Sequence, residues 1–338
     1  MSDNADGADQ RYQPESTGMY ELEFPAPQLS SPDGRGPVMI HALEGFSDAG
    51  HAIRLAAQHL KDTLDTELVA SFAIDELLDY RSRRPLMTFK TDHFTSYEDP
   101  ELNLYALHDS VGTPFLLLAG LEPDLRWERF ITAVRLLAER LGVRQLIGLG
   151  TIPMAVPHTR PITLTAHANN KELIAEHTPW VGEVQVPGSV SNLLEFRMAQ
   201  HGHEVVGFTV HVPHYLAQTA YPPAAEALLG EVARIGSLQI PLQALTHAGA
   251  EVLDKINEQV EASGEVAQVV AALERQYDAF VAAQENRSLL ARDEELPSGD
   301  ELGAEFERFL AQQSGEKFKD DKYKDGFGEG FSEGDDRH

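Results

Sequence analysis

A chain of 338 residues, 42% hydrophobic and 24% charged, is long enough for one large domain or two ordinary ones and has the composition of a folded globular protein. It contains no cysteine, which excludes a disulfide framework, a thiolate zinc site, an iron–sulfur cluster and a cysteine nucleophile. A formal net charge of −27 argues against nucleic acid or an anionic membrane surface as partner, and the one dense basic run, Arg81-Ser82-Arg83-Arg84, is too short to reverse that.

The chain opens Met1-Ser2-Asp3-Asn4, without the basic stretch and apolar run of a secretory signal, so the cytoplasm is the expected compartment. No stretch approaches the roughly 20 apolar residues that cross a bilayer. Residues 1–19 are almost devoid of apolar side chains and read as a flexible arm.

Val38 to Leu43 then reads as a buried strand and Ser47 to Leu64 as a helix, a strand–helix unit. Leu68 to Ala73, Leu102 to Leu107 and Pro114 to Ala119 supply further strands. Trp127 to Leu141 follows as an amphipathic helix with Asp124 in the N-cap position. Gln145 to Leu149 is a strand expected to end at Gly150. Ile162 to Ala166 and Val184 to Val186 are expected strands around a helical piece near Lys171 to Glu176.

Ser191 to Gln200 reads as a helix, Glu204 to Val212 as a long apolar strand and Pro222 to Ile235 as a helix opened by two prolines. Such alternation implies an α/β domain, 20–287, with a mostly parallel sheet covered on both faces. After Pro241 two long helices, Leu242 to Ala262 and Glu265 to Gln284, form a helical appendage over 241–285. From Ser288 to His338 acidic residues outnumber basic ones fifteen to seven, which reads as a disordered, solubilising tail.

Chemical motifs are scarce. Gly148-Leu-Gly150 offers two glycines of a dinucleotide fingerprint that needs three, and no Gly-Lys-Ser/Thr phosphate loop occurs. Neither a His-Glu-x-x-His helix nor a Gly-x-Ser-x-Gly elbow is present, and His201/His203 and His211/His214 are poorly spaced for metal. No cofactor or metal is expected.

Polar residues nevertheless gather at the carboxyl ends of the expected strands, where open α/β sheets bind ligands. Glu44, Ser47, Asp48, Glu122, Arg160 and Ser189 are the candidate pocket, a charged site for a small polar ligand. The plainer account of the same residues has Ser47 and Asp48 capping a helix and Arg160 pairing with a carboxylate.

Five segments in order, GFSDAG at 45–50, LLDYRSRRP at 77–85, GLEPDLRW at 120–127, GLGTIPMAVPHTRP at 148–161 and VPGSVSNLLEF at 186–196, resemble the PAC2 family over roughly residues 20–285. The resemblance implies a three-layer α/β/α sandwich similar to nucleoside phosphorylases and a homo-oligomer, a trimer first; a dimer, the commonest state of soluble oligomers generally, is the alternative. It also implies assembly-chaperone or scaffold work through protein–protein contacts, with proteasome subunits as the partner class. Some archaeal relatives dock on proteasomes through a C-terminal hydrophobic-Tyr-any tail. Here the chain ends Gly334-Asp-Asp-Arg-His338 and its tail tyrosine is Tyr323, so that mode of docking is not expected. A ligase label applied to some relatives gains no support from the motifs. Binding and assembly are the expectation, with a phosphorylase-like or ligase-like enzyme, or a small-molecule binder using the strand-end pocket, as the alternative.

Overall fold

The computed structural model describes residues 18–290 except 25, 26, 28, 30–33, 46 and 179–181, with side chains to 283. Its centre is an eight-stranded sheet in the order β1-β3-β6-β7-β2-β8-β10-β9. The strands are β1 (Tyr20–Leu22), β2 (Val38–Glu44), β3 (Thr66–Phe72), β6 (Leu102–His108), β7 (Pro114–Leu121), β8 (Gln145–Met154), β9 (Leu164–Ala168) and β10 (Glu204–Pro213). The four central strands β7, β2, β8 and β10 are parallel neighbours, and β1, β3, β6 and β9 extend the sheet by antiparallel pairing. A separate hairpin joins β4 (Met87–Lys90) to β5 (His93–Tyr97).

Helices α1 (Ala52–Thr63) and α5 (Pro222–Gly236) cover one face, and α3 (Trp127–Arg140) and α4 (Val190–Gln200) the other. Alternation along the strands feeds both layers. From β2, Val38, Ile40 and Ala42 pack with Ile53, Ala56 and Leu60 of α1 and Leu228 and Val232 of α5. Met39 and Leu43 of the same strand face Phe130, Val134 and Leu137 of α3 and Leu194 of α4. Each fully buried large aliphatic or aromatic side chain contributes about 1.5–3 kcal/mol, and this double burial explains why the central strands are apolar without a break. The expected three-layer α/β/α architecture is the observed one.

A one-turn helix α2 (Ile74–Leu77) follows β3, and the long helices α6 (Gln243–Ala262) and α7 (Gly264–Leu290) form the expected C-terminal helical part. Leu245 and Ile256 of α6 join the core on the α5 side. Among the described residues no helix is long and apolar enough to cross a membrane.

Several local expectations need correction. β8 does not end at Gly150 but runs to Met154, paired with Val210–Pro213 of β10. Beyond Gly148 it has lost β2 as a neighbour, so Pro153 withholds no hydrogen bond from a second strand. Asp124 does not cap α3: the N-cap is Arg126, with φ 57°, and Asp124 Oδ2 instead accepts the Asp79 amide at 2.9 Å. Val184 to Val186 is no strand, and the helical piece near Lys171 is a single 3-10 turn.

The β4–β5 hairpin and β1 had no expectation at all. Met19, the last residue of the expected arm, is fully buried and its carbonyl accepts the Ala73 amide at 2.9 Å, so the folded body begins before Tyr20. Residues 1–17 of that arm, and the tail from 291 onward, lie outside the described residues.

Candidate functional site

The six candidate residues form separate junctions rather than one pocket. After β2 the chain turns sharply into α1, and Ser47 and Asp48 hold that turn. Ser47 Oγ donates to the Thr151 carbonyl at 2.5 Å, while Thr151 Oγ1 donates to the Ser47 carbonyl at 3.2 Å and accepts the Ala49 amide at 2.7 Å. The Asp48 carboxylate accepts the Ile53 amide at 2.8 Å and the Arg54 amide at 3.4 Å, closing the first turn of the helix. Burial pushes the Asp48 carboxyl up, against the pull of those two amides. Gly50 has φ 68°, and a Cβ there would stand 2.9 Å from Tyr221 Cβ, so this bend requires glycine.

Glu122 and Ser189 meet at a second junction, the N-terminus of α4. Glu122 Oε1 accepts the Val190 amide at 2.6 Å and Ser189 Oγ accepts the Asn192 amide at 3.1 Å. The Glu122 amide in turn donates to the Glu44 carbonyl at 3.0 Å, which ties the ends of β2 and β7 to α4.

Arg160 belongs to a third. Its Nε and Nη2 donate to Asp278 at 2.8 Å each, and Nη1 reaches Glu274 Oε1 at 3.1 Å. Thr159 Oγ1 donates to Glu274 at 2.5 Å and the Tyr277 hydroxyl to the Pro161 carbonyl at 3.2 Å. His158 lies 2.7 Å from the Tyr215 hydroxyl and 3.1 Å from Asn257 Oδ1. The Pro157–Pro161 loop is thus a buckle that fastens α6, through Asn257, and α7 to the sheet, and Arg160 pairs with carboxylates rather than facing Glu44.

Glu44 lines a cleft of about 370 Å³ at the carboxyl ends of β2 and β7. Arg54, Gln58 and Lys61 of α1, Tyr105 of β6 and the Arg83–Leu86 and Glu98–Glu101 segments complete its walls. Burial raises the Glu44 carboxyl above its usual range, and Arg54 opposes it. The Lys61 ammonium sits 5.5 Å from the centre of the Tyr105 ring. The β2–α1–β3 and β7–α3–β8 connections run in opposite directions across the sheet, on opposite faces, and the cleft lies at the boundary between β2 and β7. No group of three His, Asp or Glu side chains is placed to hold a metal ion among the described residues.

One constellation escaped the sequence reading. His41 of β2, fully buried, lies with Nε2 3.0 Å from Glu195 Oε1, and His167 Nε2 bonds the other oxygen of the same carboxylate. Two signals were available: a histidine inside the apolar run Val38–Leu43, and a glutamate flanked by Leu193, Leu194 and Phe196 on the covered helix α4.

A family model for the PAC2 family matches residues 42–260. The chain is similar to the crystal structure of a Mycobacterium tuberculosis protein of unknown function, Rv2714, at 77% identity over 90% of this chain and 99% of that one, with a TM-score of 0.80. A Corynebacterium glutamicum protein of unknown function is 44% identical over 78% of this chain and 98% of its own, with a TM-score of 0.76. The Mycobacterium tuberculosis proteasome-assembly chaperone homologue Rv2125, at 24% identity over 69% of this chain and 99% of its own, shares the fold with a TM-score of 0.63. No curated protein matches the chain.

Proposed function

This chain belongs to the PAC2 family, and from that premise we propose that it works as a homo-oligomeric assembly chaperone or scaffold, through protein–protein contacts, with proteasome subunits as the partner class. The observation that carries the reading is the β4–β5 hairpin. All nine of its strand residues are exposed, and Leu86, Met87, Phe89, Phe94 and Tyr97 are 68%, 52%, 58%, 62% and 45% exposed. Phe89 and Phe94 contact each other edge to face at 5.2 Å, a pair with no cover from the sheet domain. A two-stranded hairpin is marginal on its own and a contiguous apolar patch is rare on a monomer, so a neighbouring subunit is the natural cover. A trimer is our first choice and a dimer the alternative.

The structural likeness to a proteasome-assembly chaperone homologue supports the partner class. Purified full-length chain, mixed with isolated α-subunits of a 20S proteasome, is expected to co-elute with them in size-exclusion chromatography. Separate elution at micromolar concentrations of both would overturn the partner class. The Glu44 cleft favours a second reading, a binder of small polar molecules carrying both signs of charge, since Arg54, Lys61 and Arg83 line it together with Glu44, Glu98 and Glu101. A thermal shift with zwitterionic metabolites that disappears in Arg54→Ala is the expected outcome of that reading, and no shift with any of them would remove it.

A further inference from the structure

Four strands place His41, Gly148, Gly207 and His167 in one row across the sheet. His41 pairs with Gly148, Gly148 with Gly207, and Gly207 with His167. The two inner positions carry no side chain, and the carboxylate of Glu195 from α4 fills the space. A Cβ at Gly148 would overlap Glu195 Oε1, and one at Gly207 would overlap the His167 ring. Glu195 therefore lies over two glycines between two imidazoles, and the nitrogen facing it is Nε2 in both rings.

The two imidazoles differ in access to water. His41 is fully buried and its Nδ1 has no hydrogen-bond partner among the described residues. A hydrogen on that atom would be buried without an acceptor, so the hydrogen of His41 resides on Nε2, where the carboxylate takes it. The His167 side chain is 49% exposed, so this ring exchanges a proton with solvent while Nε2 stays on Glu195.

The geometry points to a proton-binding site at His41–Glu195–His167 that clamps α4 onto the sheet. One proton taken up by His167 gives an imidazolium paired with the buried carboxylate. Its release leaves the carboxylate facing a neutral His167 N–H in place of an imidazolium, and α4 loosens. Other charged groups on the elements packed around α4 have partners of their own: Glu128 of α3 pairs with Arg197, Glu139 of α3 approaches His203, and Glu204 of β10 meets Gln145 of β8.

The hydrogen bond to Glu195 raises the His167 imidazole above its ordinary value, against the effect of burial. Burial favours the protonated Glu195, but the two imidazoles outweigh it and hold the carboxyl well below its usual range. A raised histidine stabilises fully below its unfolded value of about 6.5, and that stability is lost as pH rises through the folded value. A lowered carboxylate stabilises above its unfolded value of about 4.3, and is lost as pH falls through the folded value. The clamp is therefore tightest from about pH 5 to 6.5 and opens on the alkaline side.

Hydrogen exchange of the full-length protein, corrected for intrinsic rates, tests this at pH 6 and pH 9. Protection of α4 is expected to fall several-fold at pH 9 while that of α3 stays constant, and in His167→Gln α4 should be equally weakly protected at both values. Unchanged α4 protection in the native chain, or an equal fall in His167→Gln, would overturn the proposal. The side-chain NMR titration of His167 adds an independent reading, with a midpoint above about 6.5 that drops in Glu195→Gln. Should Glu195→Gln fail to fold, the half-exposed His167→Gln variant still decides the matter.

Discussion

The centre of the sheet and the β4–β5 hairpin are built from the same kinds of residue and meet opposite fates. Along β2 every residue from Val38 to Leu43 is at most 2% exposed, because helices lie on both faces. Along the hairpin every residue is exposed, aromatic pair included. Apolar character alone therefore does not assign a residue to the fold; cover does. Where the chain supplies its own cover, the residues stabilise the domain. Where it supplies none, they stay exposed, and it is on these that the proposed interface rests.

Substitutions in the two regions sharpen the contrast. Phe208 of β10 is fully buried in the core on the α1/α5 face, so Phe208→Ala should cost about 3–5 kcal/mol of unfolding free energy, read from denaturant titration. A loss under about 1 kcal/mol would mean that this core is far more plastic than its packing indicates.

An intermediate effect is expected beneath α4. Gly148→Ala drives a methyl group into Glu195 Oε1 and close to His41 Nε2, and strain of this kind typically costs about 1–3 kcal/mol. The same titration checks it, and a neutral result would show that Glu195 can move aside freely.

The smallest effect on the monomer is expected from the hairpin. Phe89→Ser with Phe94→Ser should shift the unfolding free energy of the isolated subunit by no more than about 0.5 kcal/mol, because both side chains are more than half exposed. A large destabilisation at concentrations where subunits are dissociated would place the hairpin in the fold rather than at an interface.

Much of the architecture was legible because it rests on periodicity. The run Trp127, Phe130, Ile131, Val134, Leu137 repeats at helical spacing, and α3 emerges within a residue of its expected bounds. β2 and β10 read as apolar runs because both faces are covered. The hairpin was invisible since Met87–Lys90 and His93–Tyr97 have no buried face to impose alternation. β8 was cut short at Gly150 since glycine and proline signal a break, whereas a one-sided strand tolerates both.

The candidate site was legible only in its local parts. Asp48 and Ser189 behave as capping residues because capping acts within a few positions of the chain. The sequence groups Arg160 with Glu44, but its partners are Glu274 and Asp278, more than a hundred residues later, and no local pattern carries that pairing. His41, Glu195 and His167 come from two strands and a helix, and the register that aligns them with Gly148 and Gly207 exists only once the sheet has formed.

The mass of the full-length chain in solution, measured by light scattering at micromolar concentration, tests the central claim most directly. A closed oligomer, three subunits in the first instance, is expected, falling to the monomer mass in the Phe89→Ser, Phe94→Ser variant. A native chain that is strictly monomeric, or an oligomer untouched by the variant, would contradict it.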